Sequence, residues 1–415
     1  MSAAARGSVA AGAPDGAAGA VPVGSSPSGA VTVTVLAVSS LTILANATIA
    51  PALPGLSAAF ADVPGIEGLA GLALSLPSLS IILSAALFGH LADRIDPLRV
   101  LLVSMVGYAL AGASGALAPT IGTVLVGRFA LGFGVAGTMT IATLLAATLW
   151  SGRARARFMG RQFAATSLVG MVLLVCAGLL AETSWRAPFL IYLVALPVAL
   201  AAWIVLRGKV GARDPDGPTS APVAFPWPAF ARIGSLACFT MLAFYLVPTR
   251  LPFHLIAIGA GGPSAAGFAM AAVTLAGIPG ALAFGRIRAR LKPAPIAAAC
   301  LVVVAAGFVA ISFAQGLALV IAGALLVGLG LGPAIPNLMS WLVASVPDGA
   351  RGRASGLFTM AIFAGQFLSP IVGHAVSDRV GLARTFDVFA AALLVVSVGL
   401  VALGRRADPV PAPVP

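Results

Sequence analysis

Twelve times along this chain, a mostly apolar run of roughly 20 residues or more passes with almost no charge. The runs fall near 31–54, 67–91, 98–117, 121–149, 158–181, 186–206, 232–257, 265–286, 294–314, 317–345, 354–377 and 384–403. About 20 helical residues cross the hydrocarbon core of a bilayer, and a helix satisfies its own backbone polar groups where no water can. Composition removes the soluble alternative. Sixty per cent of the residues are hydrophobic and only 9% are charged, whereas a water-facing surface needs roughly a quarter charged. The expected fold class is therefore an all-α membrane protein with twelve transmembrane helices. The 48 glycines and 30 prolines fit that setting, because close packing in lipid uses small residues and neighbouring helices re-satisfy broken backbone bonds.

A net charge of +12 raises the question of nucleic acid, but its placement answers otherwise. Of 24 Lys and Arg, nineteen fall on one side of the predicted topology: Arg6, Arg94, Arg99, Arg153, Arg155, Arg157, Arg161, Arg207, Lys209, Arg213, Arg232, Arg286, Arg288, Arg290, Lys292, Arg351, Arg353, Arg405 and Arg406. Four fall on the other side (Arg186, Arg250, Arg379, Arg384), and Arg128 lies inside a span. The positive-inside rule places both termini in the cytoplasm, as an even number of spans requires. The Ala/Gly/Ser-rich stretch 1–29 reads as a disordered cytoplasmic tail and not a signal peptide, with a second short tail at 405–415. Cys176, Cys238 and Cys300 sit apart in apolar runs, giving neither a disulfide framework nor metal spacing.

The chain also says nearly the same thing twice. Phe88-Gly-His-Leu-Ala-Asp-Arg-Ile-Asp-Pro97 recurs 196 residues later as Phe284-Gly-Arg-Ile-Arg-Ala-Arg-Leu-Lys-Pro293. At the same offset Leu131-Gly-Phe-Gly134 becomes Val327-Gly-Leu-Gly330, and Arg155 and Arg157 become Arg351 and Arg353. One register held over several spans predicts two six-helix bundles, 30–207 and 229–404, joined by a cytoplasmic linker at 208–228. Parallel repeats of this kind place a substrate site at their interface, near the membrane midplane.

Gly89-His-Leu-Ala-Asp93-Arg94 resembles the loop signature G-x-L-A-D-R of the major facilitator superfamily, and Arg128-Phe-Ala-Leu-Gly132-Phe-Gly134 resembles that family's fourth-helix pattern. Asn46-Ala-Thr-Ile-Ala-Pro-Ala-Leu-Pro54 and Trp185-Arg-Ala-Pro-Phe189 look most like its drug and metabolite efflux branch. The sequence departs from the pattern at Asp96-Pro97-Leu98, where the family has Gly-Arg-Lys. The antiporter motif of the fifth helix is faded at Val169–Gly178, and its proline survives as Pro370 in the second half. The resemblance implies secondary active transport by alternating access. Asp93, Arg94 and Gly89 are expected to latch the cytoplasmic ends in one conformation, the Asp93 carboxylate meeting the positive N-terminal end of helix 11. The second copy has Ala289 in the acid's place and cannot form the same latch.

Arg128 is the one formal charge well inside a span, at a penalty of roughly 3 kcal/mol or more unless it is solvated or hydrogen-bonded. The resemblance implies a part in coupling and conformational change for Arg128, as for Asp93, Arg94, Gly89 and Pro370; a structural arginine held by carbonyls and small polar groups is the alternative. Gly132-Phe-Gly-Val-Ala-Gly137 matches a dinucleotide fingerprint, but it neither follows a strand nor opens a helix; Gly127 and Gly134, a heptad apart, are expected to admit a neighbouring helix. Asn46-Ala-Thr48, a glycosylation sequon in form, lies at membrane depth.

No carboxylate falls at membrane depth, which leaves Asp93, His90, His254 and His374 near the two mouths as candidate proton carriers. Candidate cavity groups are Thr42 and Asn46 on the first helix, beside Ser39; Gln162 and Thr166 on the fifth; Tyr245 and Thr249 on the seventh; Asn337 and Trp341 on the tenth; and Gln366 on the eleventh. Such a lining favours neutral, amphipathic organic molecules over phosphates or zwitterions. No nucleophile–base or metal-ligand cluster occurs in the spans, so neither enzyme activity, cofactor nor metal is expected. The expected function is proton-coupled export of a drug-like or natural-product molecule across the bacterial inner membrane, by a monomer. An importer or facilitator of a small neutral metabolite would share these features.

Overall fold

The computed structural model describes residues 27–208 and 224–406, without the side chains of 43, 44, 46, 47, 93, 156 and 403–406. The predicted N-terminal tail, most of the linker and most of the C-terminal tail lie outside the described residues, as do the side chains of Asn46 and Asp93. The described residues are helical almost throughout. Fourteen α-helices follow in order: α1 (Gly29–Ala47), α2 (Leu53–Ala59), α3 (Ile66–Arg94), α4 (Pro97–Ala113), α5 (Ile121–Leu149), α6 (Gly152–Thr183), α7 (Ala195–Leu206), α8 (Trp227–Phe244), α9 (Leu246–Ala257), α10 (Pro263–Arg288), α11 (Pro293–Ser312), α12 (Leu317–Ala344), α13 (Arg351–Val380) and α14 (Leu382–Arg406). Among the described residues, eleven helical stretches are long and apolar enough to cross a membrane, and Gly29–Thr42 forms a shorter apolar helix.

Prolines explain the breaks. The first helix stops at Ala47 and resumes at Leu53 after a 3-10 turn, Ala50–Ala52. Pro51 and Pro54 lack the N–H groups that would bond Ala47 and Ala50. The stretch Trp227–Ala257 breaks at Tyr245, where Pro248 likewise cannot donate to Phe244. Helix starts are written locally as well. Asp96 caps α4 by accepting the Leu98 N–H at 3.1 Å, with Pro97 in the first helical position. The residues that depart from the loop signature thus start a helix. Thr120 and Thr123 form a reciprocal capping box at the head of α5.

Glycines set the helix crossings. A Cβ on Gly134 would lie 2.6 Å from the Tyr108 nitrogen on α4, and one on Gly127 would lie 3.3 Å from the Ala111 oxygen. A Cβ on Gly132 would meet the Pro77 oxygen on α3 at 2.5 Å. The copies behave alike: Gly330 faces Cys300 and Val304 on α11, and Gly328 faces Val273 on α10. The 196-residue offset therefore relates packing as well as letters.

The two halves of the chain cross chiefly through two long helix pairs, α3 with α13 and α6 with α10, and α2 also meets α9. Both crossings tighten toward the end that carries the links 60–65, 184–186 and 258–262. A Cβ on Gly71 would stand 2.9 Å from Pro370 Cβ, and Gly178 and Gly267 are in backbone contact. Ser75 donates to the Phe367 carbonyl, and Glu182 accepts the Ser264 N–H at 3.0 Å. At the other end the glycines of the same four helices face open space. A Cβ on Gly89, Gly160, Gly285 or Gly356 would have no neighbour within 4 Å. One end of the bundle is closed and the other is open.

Candidate functional site

Where the two halves meet, a cavity of about 340 Å³ lies beneath the closed end. Thr42 of α1, Met139 of α5 and Leu174 of α6 line it from the first half. The second half contributes Phe244, Tyr245, Val247 and Pro248 at the break between α8 and α9, Met270, Val273 and Thr274 of α10, and Phe363 and Gln366 of α13. No lining residue carries a charge. The volume falls within the range of small-molecule pockets, roughly 300 to 1,000 Å³, which are mostly apolar with a few placed polar groups.

Most of those polar groups already have partners. Thr42 donates to the Ser39 carbonyl at 2.7 Å and Thr274 to the Met270 carbonyl at 3.3 Å, each within its own helix. Gln366 accepts from Ser78 at 3.0 Å, bridging α13 and α3. The Tyr245 hydroxyl is different: it is buried and has no hydrogen-bond partner among the described residues. It sits at the break between α8 and α9.

The other predicted cavity residues go elsewhere. Gln162 donates to Ser39 at 2.8 Å, tying α6 to α1, and Thr166 bonds carbonyls of its own helix. Thr249 is buried and bonded to the Tyr245 carbonyl. Asn337 is buried against α11, donating to the Pro293 carbonyl at 2.9 Å. Trp341 lies under the Arg232 guanidinium. Beside the undescribed Asp93 side chain, Arg94 is exposed.

Arg128, 1% exposed, is fully engaged. Nε donates to the Ala73 carbonyl at 2.8 Å, Nη1 to the Tyr192 hydroxyl at 2.7 Å, and Nη2 to the Ala45 carbonyl at 2.6 Å. Both carbonyls lack helical donors for reasons written in the sequence. Ala73 stands four residues before Pro77, which has no N–H, and Ala45 is in the last turn of α1, where carbonyls run out of partners. Tyr192 also donates to Ala45, at 3.0 Å, and packs edge-on against Tyr108. Pro77 announces the Ala73 acceptor; nothing local announces Tyr192.

A family model described as Major Facilitator Superfamily matches residues 35–370 and 233–415. The chain belongs to that superfamily. It is a multi-pass membrane protein of a transporter family. No curated protein matches it in sequence. Among solved structures it resembles a bacterial homologue of the human lysosomal transporter Spinster, in an inward-facing and unoccupied conformation. There the TM-score is 0.75 and the identity 15%, over 91% of this chain and 96% of that one. It also resembles the nucleoside transporter NupG (0.71; 13%; 90% and 99%) and the POT family transporter PepTSo (0.73; 11%; 91% and 98%). At such identities the likeness speaks to the fold.

Proposed function

We propose that this superfamily member is a secondary transporter of the bacterial inner membrane that exports a drug-like or natural-product small molecule in exchange for protons. In this reading twelve spans form two six-helix bundles, α1–α2 and α8–α9 each making one broken span, and the protein works as a monomer. The observation that carries the proposal is the uncharged cavity between the halves, shut toward one end while the bundle stands open at the other. Such a geometry suits alternating access, in which a site between two bodies meets each side in turn. The open end carries most of the basic loops and is taken as cytoplasmic; the arrangement is then inward-facing, as in the Spinster homologue named above.

The cavity's chemistry supports a neutral, amphipathic substrate. Phe244, Phe363, Met139 and Met270 offer adaptable apolar contact. The Tyr245 hydroxyl supplies a directional hydrogen bond. Asp93, Arg94 and Gly89 are proposed to draw the cytoplasmic ends together in the opposite state. The proposal is tested by screening a deletion strain and an overexpressing strain against a panel of growth inhibitors, followed by flux measurements in proteoliposomes. Export predicts hypersensitivity on deletion and substrate movement driven by a pH gradient. Accumulation of the compounds on overexpression, or flux indifferent to the gradient, would overturn it.

A further inference from the structure

At the open end of the first half, a pocket of about 180 Å³ lies between the start of α1 and the first turns of α6. Pro27 and Thr32 line one side, and Ala154, Arg157 and Arg161 line the other. Both helices begin here, so both present the positive ends of their dipoles. No lining residue is acidic, and neither arginine forms a hydrogen bond or ion pair with a described residue. The described carboxylates at this end are engaged elsewhere: Asp96 caps α4 and pairs with Arg99, and Asp348 pairs with Arg351. The second half fills the corresponding place. Arg353, the copy of Arg157, lies over the Phe225 and Trp227 rings at 4.9 and 5.2 Å, with Phe230 beside them. At the 196-residue offset those three rings correspond to Gly29, Val31 and Thr34. The rings of the first half, Trp150 and Phe158, are buried and stack on each other at 3.8 Å. Arg157 is left with space beside it and an equal charge one turn away.

Beyond the arginines the same face of α6 continues as Leu168, Val172 and Leu179, all exposed, while Thr166, Leu174 and Ala177 are buried on the opposite face. On a spanning helix, such an exposed apolar stripe meets acyl chains. We propose that this pocket binds the phosphate group of an anionic phospholipid, its head held by Arg157 and Arg161 and its chains lying along the Leu168–Val172–Leu179 stripe. A guanidinium donates two parallel bonds to phosphate oxygens. One phosphate between the two arginines relieves the repulsion of like charges one turn apart. Basic pockets at the membrane interface attract anionic headgroups. A free phosphate offers the same head chemistry but nothing for the stripe. The inference goes beyond the transport reading and does not depend on it.

The test uses the full-length protein purified in detergent and titrated with dioleoylphosphatidylglycerol, dioleoylphosphatidylcholine or glycerol 3-phosphate, with bound ligand read by native mass spectrometry. Phosphatidylglycerol should bind severalfold more tightly than phosphatidylcholine, and glycerol 3-phosphate should not displace it at equal concentration. Arg157→Gln combined with Arg161→Gln, both at exposed positions, should weaken phosphatidylglycerol binding about tenfold or more, at roughly fivefold per basic residue near a lipid surface. Arg288→Gln combined with Arg290→Gln removes the same charge from the same end and should leave the affinity unchanged. Ala154→Leu narrows the pocket while keeping both charges, and should weaken binding as well. Equal affinity for the two lipids, equal losses in the two charge-removing pairs, or full affinity in Ala154→Leu overturns the site. Glycerol 3-phosphate that displaces phosphatidylglycerol at equal concentration overturns the lipid and makes a soluble phosphate the occupant.

Discussion

Two arginines are buried almost equally, and they differ in nearly everything else. Arg128 donates three well-formed hydrogen bonds, all within the first half of the chain. Arg250 has one long ion pair, made to the opposite half. A charge in an apolar interior is tolerated when its donors are satisfied, and breaking such an arrangement is expensive. Arg128 therefore acts as a pin that makes α1, α3, α5 and the 187–194 segment one body. Arg250 is held loosely, as would suit a contact released in the proposed transport cycle. Burial alone does not separate a lock from a latch; the number and direction of the bonds does.

The comparison breaks most visibly at Arg128. Arg128→Ala leaves the Ala73 carbonyl and the Tyr192 hydroxyl without their donor, while Ala45 keeps Tyr192; it should destabilise the protein by about 2–5 kcal/mol, at roughly 1–3 for each orphaned buried group, seen as a large fall in melting temperature or yield. Arg128→Lys keeps the charge but loses the planar fork and should recover only part of that loss. Gly134→Ala comes next. Its Cβ would press on α4 backbone and not on a movable side-chain tip, so about 1–3 kcal/mol is expected. Gly356→Ala, with open space around it, serves as the control in the same melting assay.

Arg250→Gln should change stability by less than about 1 kcal/mol, since exchanging a poorly compensated buried charge is often close to neutral. Its effect should appear instead as a smaller closed population in electron–electron distances between spin labels on cysteines introduced at Ala61 and Val380. A fall in melting temperature matching that of Arg128→Ala would erase the distinction between the two arginines. Tyr245→Phe should have the smallest effect on folding, because its hydroxyl has no described partner to lose. A transported compound identified by the inhibitor screen should nonetheless bind roughly five- to tenfold more weakly, the worth of one hydrogen bond, in a titration of the purified protein.

Eleven of the expected spans were legible in the sequence because lipid leaves the backbone few choices, whereas the first run forms only the shorter apolar helix Gly29–Thr42. Gly127, Gly134 and their copies were legible because close crossings need a missing side chain, and the 196-residue register carried over into contacts. Local pattern was a weaker guide to direction. The Asn337–Trp341 spacing identifies one helix face but not which neighbour that face meets, and Asn337 meets α11 rather than the cavity. Tyr192 is 64 residues from Arg128, a separation that no helical period can register. Glu67 and Arg250 carry opposite charges on the same predicted side, yet their pairing depends on how α3 and α9 tilt. Most of the cavity wall is methionine, phenylalanine, leucine and valine, residues that look the same whether they face a ligand, a helix or lipid.

The meeting of Pro77 and Arg128 makes the two positions mutually dependent in evolution and in engineering. Replacing Pro77 with alanine, ordinarily a gain for a helix, would supply an N–H for the Ala73 carbonyl and set it in competition with the guanidinium. A sequence that regains the regular helix at 77 would then carry an arginine short of an acceptor. Reversal of the proline should be tolerated best when position 128 changes with it, since the arginine depends on the carbonyl that the proline leaves free.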